Sequence, residues 1–139
     1  MAKSQLVNAR RHPAGFLEAR PRPGTGRHGE ILAGFLQSDV QADLTTARAF
    51  LDEVAAAARG DEPQPGGAGN AFSIAIEPTG AVIRNAVLEG ATPESYSLGE
   101  LRAALETWIV GIERASRNGD APVRSGSANR SGSPPPRPR

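Results

Sequence analysis

Apolar positions along the chain follow two rhythms. In residues 38–59, Val40, Leu44, Ala47, Leu51, Val54 and Ala58 recur at alternating steps of four and three. That spacing holds one stripe on one helix face. Ser38 with Gln41 three positions on fits an S-x-x-Q capping box. Asp39 and Asp43 stand where a helix dipole favours acids, Arg59 stands at the opposite end, and Gly60 supplies a stop. The pattern predicts a helix over 39–59. A second stripe, Leu98, Leu101, Leu105, Trp108 and Ile112, widened by Ile109, predicts a helix over 97–116. Ser97 and Glu100 form its capping box, and Arg102 and Glu106 face each other one turn apart. Tyr96 fits the staple position before this helix. Trp108 is expected as a core anchor, with contact to a partner as the alternative.

The second rhythm has period two. Phe72, Ile74 and Ile76 alternate with Ala71, Ser73 and Ala75; a turn at Glu77-Pro78-Thr79-Gly80 leads into a β-like run over 81–88. Together they predict a hairpin. A shorter hairpin is expected over 5–19, where strand-like pieces at 5–9 and 16–19 flank His12-Pro13-Ala14-Gly15. Pro in the second and Gly in the fourth position suit a type I turn. Between the hairpins, residues 29–37 read as a short helix or buried turn, because Ile31/Phe35 and Leu32/Leu36 are each four apart. An isolated hairpin is marginal in water, so both must pack on other elements.

The predicted order is β-β-α-α-β-β-α, an α+β fold. Its two hairpins are expected to join in an antiparallel sheet packed against two longer helices, forming a single domain over 4–115. Linkers are expected at 20–26 and 60–69. Residues 116–139 are rich in Arg, Pro, Ser and Gly, and Val123 is their only sizeable aliphatic residue. Such a segment cannot bury enough apolar surface to offset the entropy of ordering, so a disordered tail is expected.

Composition narrows the function classes. With 139 residues there is room for one ordinary domain. Zero Cys excludes disulfides and cysteine-ligated zinc. No apolar run reaches the roughly 18 residues of a membrane span. The first residues, MAKSQLVNARRHPAG, lack a hydrophobic leader, so a cytoplasmic protein is expected. A single Lys among 16 basic residues, with abundant Ala, Gly and Pro, suggests a GC-rich bacterial genome.

The net charge of +1 conceals a segregation. Residues 1–27 carry Lys3, Arg10, Arg11, Arg20, Arg22 and Arg27 against Glu18, a net +5. Residues 28–115 carry five Arg against 13 acids, a net −8, and residues 116–139 carry five Arg against Asp120, a net +4. An acidic body therefore has basic ends.

Few motifs survive scrutiny. Gly24-Thr25-Gly26-Arg27-His28-Gly29 matches G-x-G-x-x-G, but Arg20-Pro21-Arg22-Pro23 precedes it and cannot be the central strand that a dinucleotide site needs. A flexible connector is expected instead. His12 and His28 have no ligand-type partner at helical spacing, so both are expected to be exposed, with no metal site. No G-x-S-x-G elbow is present. The acid pairs Asp52/Glu53, Asp61/Glu62 and Glu106/Glu113 fit solvated surfaces. No catalytic, cofactor or metal-ligating residue is assigned, and a non-enzymatic protein is expected.

Two binding readings remain. In the first, the acidic body meets a basic protein, as an immunity or regulatory factor would, with Asp52, Glu53, Glu106 and Glu113 as candidate contacts. In the second, Arg10, Arg11, Arg20 and Arg22, with Arg124, Arg130, Arg137 and Arg139 of the tail, contact the phosphates of a nucleic acid. Phe16 is the only aromatic residue in either basic segment. The polyproline end, PPPRPR, could also serve as a peptide ligand.

The stretches NAFSIAIEPTGAVIRN (70–85) and SLGELRAALETWI (97–109) continue a long helix that ends in Gly. This succession, over about residues 38–115, resembles small bacterial proteins of the YacL type. The resemblance brings no functional residue with it, and the tail is not part of it.

Overall fold

The computed structural model describes residues 5–61, 67–68, 71–86 and 90–117. The fold is α+β. Strands β1 (Val7–Arg11) and β2 (Leu17–Pro21) lead into helix α1 (Gly26–Phe35), a π turn (Leu36–Val40) and helix α2 (Leu44–Ala58). Then come β3 (Gly67–Ala68), β4 (Phe72–Glu77), β5 (Gly80–Asn85), β6 (Glu94–Tyr96) and α3 (Leu98–Arg117). The predicted elements recur in order, with the short strands β3 and β6 added. No helix among the described residues is long and apolar enough to cross a membrane.

Both hairpins are antiparallel, but they stay in two sheets. One is β1-β2; the other runs β3-β4-β5-β6. A side chain explains why β2 takes no third strand. The Gln37 amide accepts from Ala19 N (2.6 Å) and donates to Leu17 O (2.9 Å), pairing with the edge of β2 as a strand would. β1 begins and ends two residues later than predicted, and β2 begins one residue later and ends two later. Its last residue, Pro21, lies opposite Val7, a place where a missing N–H is tolerated.

The core gathers Val7, Leu32, Phe35, Leu36, Val40, Ile83, Leu101, Leu105 and Trp108, all essentially inaccessible to solvent. Its helical contributors follow the predicted stripes on α3. On α2 the start and phase differ. The Ser38–Gln41 box does not form, because α1 runs on through the π turn and the chain then breaks at Gln41, at φ 61°. Asp43 caps α2 instead, accepting from Thr45 N (3.0 Å) and Thr46 N (3.4 Å). With this later start Ala57 is buried while Ala58 is exposed, and Leu44 and Leu51 are half-buried.

The π turn links the layers through alternate residues. Gln37 holds β2, as described. Asp39, expected to favour a helix dipole, instead accepts from Ala71 N (3.0 Å) and Phe72 N (3.1 Å) at the start of β4. The Gln41 carbonyl accepts from Trp108 Nε1 of α3 (2.6 Å). Trp108 is thus the expected core anchor, and its indole N–H also satisfies a carbonyl at the strained break.

The capping box of α3 forms as predicted: Ser97 N donates to Glu100 Oε1 (2.9 Å) and Glu100 N to Ser97 Oγ (3.0 Å). Tyr96, at the staple position, is buried. The helix continues to Arg117, two residues into the segment expected to be a tail. The rest of that segment, residues 62–66 and 69 of the expected 60–69 linker, residue 70, and the end of the 81–88 run lie outside the described residues.

Candidate functional site

The register of β1-β2 sorts its side chains. Val7 faces Pro21, Ala9 faces Ala19 and Arg11 faces Leu17; the alternate pairs are Asn8 with Arg20 and Arg10 with Glu18. Val7, Leu17 and Ala19 are buried, so the first set points to the core. Period-two alternation sends the second set outward. The ladder extends one step further, because His12 N donates to Phe16 O (2.7 Å). His12 and Phe16 therefore share the outward parity. Their rings stack with centroids 4.3 Å apart and planes 11° apart. A turn hydrogen bond from Gly15 N to His12 O (2.7 Å) closes the tip, with Gly15 at φ 102°. One face of the hairpin thus carries Asn8, Arg10, His12, Phe16, Glu18 and Arg20. Arg22 joins it by donating to Asn8 Oδ1 (3.5 Å). Arg10, Arg11, Arg20 and Arg22 are all exposed.

The end of α3 lies against the inner side of the same hairpin. A methyl group on Gly111 would fall 2.7 Å from Ala9 Cβ and 3.4 Å from Leu17 Cδ1. Only glycine permits that approach. Exposed Arg114 and Arg117 follow within two turns. Arg114 and Arg117 are thus carried on the helix that packs against the hairpin of the basic N-terminal segment. Arg124, Arg130, Arg137 and Arg139 lie outside the described residues. Glu18 is the single acid in this row. It sits opposite Arg10 and 3.9 Å from Arg20, and its Oε1 is buried without a hydrogen-bond partner.

The candidate acids do not form a bare acidic face. Glu106 pairs with Arg102 (3.2 Å), and Glu113 pairs with Arg48 (3.0 Å), joining α2 to α3. Asp52 is exposed. Glu53 is half-buried, and burial pushes its carboxyl above the usual range.

A further cluster had no signal in the sequence. His28 is half-buried rather than exposed, with Nδ1 2.9 Å from Glu94 Oε2 and Nε2 3.3 Å from Glu100 Oε1. Its ring stacks on Tyr96 at 4.3 Å, and the Tyr96 hydroxyl donates to the His28 carbonyl (2.7 Å). Arg27 donates to Glu94 and to the Thr92 carbonyl. The stretch expected as a flexible connector is therefore the tethered first turn of α1. Burial, reinforced by Glu94, pushes the Tyr96 phenol well above its ordinary range. The partners of His28 lie 66 and 72 positions away, beyond any local spacing rule. Among the described residues no group of three or more His, Asp or Glu could hold a metal ion. His12 also differs from expectation: it is half-buried, stacked on Phe16, and accepts from Ala14 N through Nδ1 (2.9 Å).

Comparison of the chain with family models, with curated proteins and with solved structures finds no match.

Proposed function

We propose that this chain is a non-enzymatic binding protein whose basic hairpin face contacts the phosphates of a nucleic acid. One observation carries the reading: α3 packs on β1-β2 through Gly111, so Arg114 and Arg117 come to the hairpin that presents Arg10, Arg20 and Arg22. Arginines in such a group replace the counterions around a polyanion, and the release of those ions drives binding. The sequence that follows α3 carries four further arginines, Arg124, Arg130, Arg137 and Arg139. Two of the acids that would repel phosphate are already in ion pairs with Arg102 and Arg48.

Contact with a basic protein is the second reading. It is favoured by exposed Asp52 and by Val110, which is 45% exposed on the outer stripe of α3 between Glu106 and Arg114.

Binding of a fluorescently labelled oligonucleotide, titrated at several salt concentrations, tests the proposal. Affinity should fall steeply with salt, and replacing Arg10 and Arg20 together by Ser should lower the logarithmic slope by about 2, one per lost phosphate contact. Deleting 116–139 should lower it further. Affinity indifferent to both changes would sink the reading and favour the protein partner.

A further inference from the structure

We infer that the nucleic acid is single-stranded and that the His12–Phe16 pair at the hairpin tip stacks one of its bases. The inference rests on the proposed function and deepens it. Arginines alone do not distinguish a duplex from a single strand, because both present phosphates. Aromatic rings do, because a single strand can offer unstacked bases while a duplex keeps them inside.

Phe16 is set apart from the other aromatic residues. Phe35, Phe72, Tyr96 and Trp108 are buried in the core, and Phe50 packs against it. Phe16 does not join that cluster; its ring stacks on His12. Core packing therefore does not account for an aromatic residue at this position. The pair is also held ready. The turn bond from Gly15 N fixes the tip, and Ala14 N, donating to His12 Nδ1, fixes the imidazole plane. A platform ordered before binding costs little entropy on contact.

Its place relative to the arginines matches an extended chain. His12 follows Arg10 by two residues on the outward face, and Phe16 precedes Glu18 and Arg20 in the same way. Positions two apart on a strand are about 7 Å apart. A strand laid along this row would set its phosphates over Arg20, Arg22 and Arg10 and bring a base to the tip. Glu18 is the one opposing charge in the row, and it limits affinity without removing the path.

The test uses the full chain and three fluorescein-labelled probes of equal length: oligodeoxyuridylate, oligouridylate and a mixed-sequence DNA duplex. Fluorescence anisotropy should give tighter binding of the single strands. Phe16→Ala should weaken single-strand binding by about fivefold to a hundredfold, the range for loss of one stacked base, and leave duplex binding and the salt slope unchanged. Phe16→Tyr should restore it, whereas Phe16→Leu should not. A preference between the two single strands identifies the sugar. Equal binding of single strand and duplex, with Phe16→Ala silent on both, overturns the inference while the phosphate-binding proposal stands. No binding of any probe at low salt overturns both. Circular dichroism of each variant checks that the fold is intact.

Discussion

Across β1-β2 the inward pairs are Val7 with Pro21 and Ala9 with Ala19; across β4-β5 they are Ile74 with Ile83 and Ile76 with Ala81. The outward faces part company. The first hairpin shows Arg10, Arg20, Glu18 and the stacked His12–Phe16 tip. The second shows Ser73 beside Arg84 and Ala75 beside Val82, with Ser95 continuing the row on β6. The two hairpins also differ in support. β4-β5 is widened by β3 and β6, whereas β1-β2 stays a pair whose open edge is closed by Gln37. A two-stranded sheet has little stability of its own, so the first hairpin depends on α1 and α3. An element that depends on its neighbours for stability leaves its outer face free to carry charge.

Trp108→Ala tests whether the hairpins share one core. Trp108 is 1% exposed, and its N–H holds the Gln41 carbonyl. Its loss should cost about 3–5 kcal/mol in chemical denaturation, as for other buried aromatics. Amide exchange should then quicken in both hairpins together. Exchange that quickens in one hairpin alone would show two cores.

The two anchors of the π turn should act on different hairpins. Asp39→Ala removes a carboxylate that accepts the backbone N–H groups of Ala71 and Phe72 where β4 begins, a loss of about 1.5–3 kcal/mol for hydrogen bonds to a charged group. Gln37→Ala removes two neutral bonds to β2, about 1–2 kcal/mol together. Amide exchange should speed up mainly in β4-β5 for the first and mainly in β1-β2 for the second. If both substitutions loosen the same strands, the π turn is a common support and not a pair of separate ties.

These anchors also mark where the sequence stops being legible. The period-two alternation of 72–76 and the Ser97–Glu100 box are local patterns with local causes, and both form as read. Ser38 and Gln41 carried the same box signal. It failed because α1 runs on through the π turn, tied by Gln37 to β2 and by Asp39 to β4, and breaks at Gln41, whose carbonyl takes the Trp108 N–H; no spacing reveals these partners. The arginines of the first hairpin were legible as a charge excess. Their common face was not, since it depends on the pairing of β1 with β2, which the apolar pattern does not specify and which runs past the predicted ends of both strands. The His12–Phe16 stack follows from that register, and the His28 cluster from contacts across the whole fold.

Tyr96→Phe probes the tie between α1 and β6. Removing the hydroxyl that donates to the His28 carbonyl should cost about 1 kcal/mol. The pH dependence gives a second readout. The folded phenol is held above its ordinary value, so the unfolded chain releases its proton first as pH rises. This contribution is therefore present in full below pH about 10 and is lost progressively above it. The variant should lack that decline. An equal decline in wild type and variant would assign it to other groups.

The smallest effect is expected where the hairpins differ most. Arg10→Ser with Arg20→Ser on the first outward face, and Arg84→Ser on the second, should each shift stability by no more than about 0.5 kcal/mol, because these side chains are exposed and lie outside the core. Arg20 is 3.9 Å from Glu18, a distance at which a surface pair contributes about 1 kcal/mol at most. Only the first pair of substitutions should weaken oligonucleotide binding. Glu18→Gln, which removes the opposing charge, should tighten it severalfold at low salt and less at high salt, where the charge is screened. If the double arginine variant instead lost about 2 kcal/mol or more of stability, the Arg10–Glu18–Arg20 row would be part of what holds the hairpin. Its arginines would then owe their place to the fold, and the contrast between the two outward faces would carry no functional meaning.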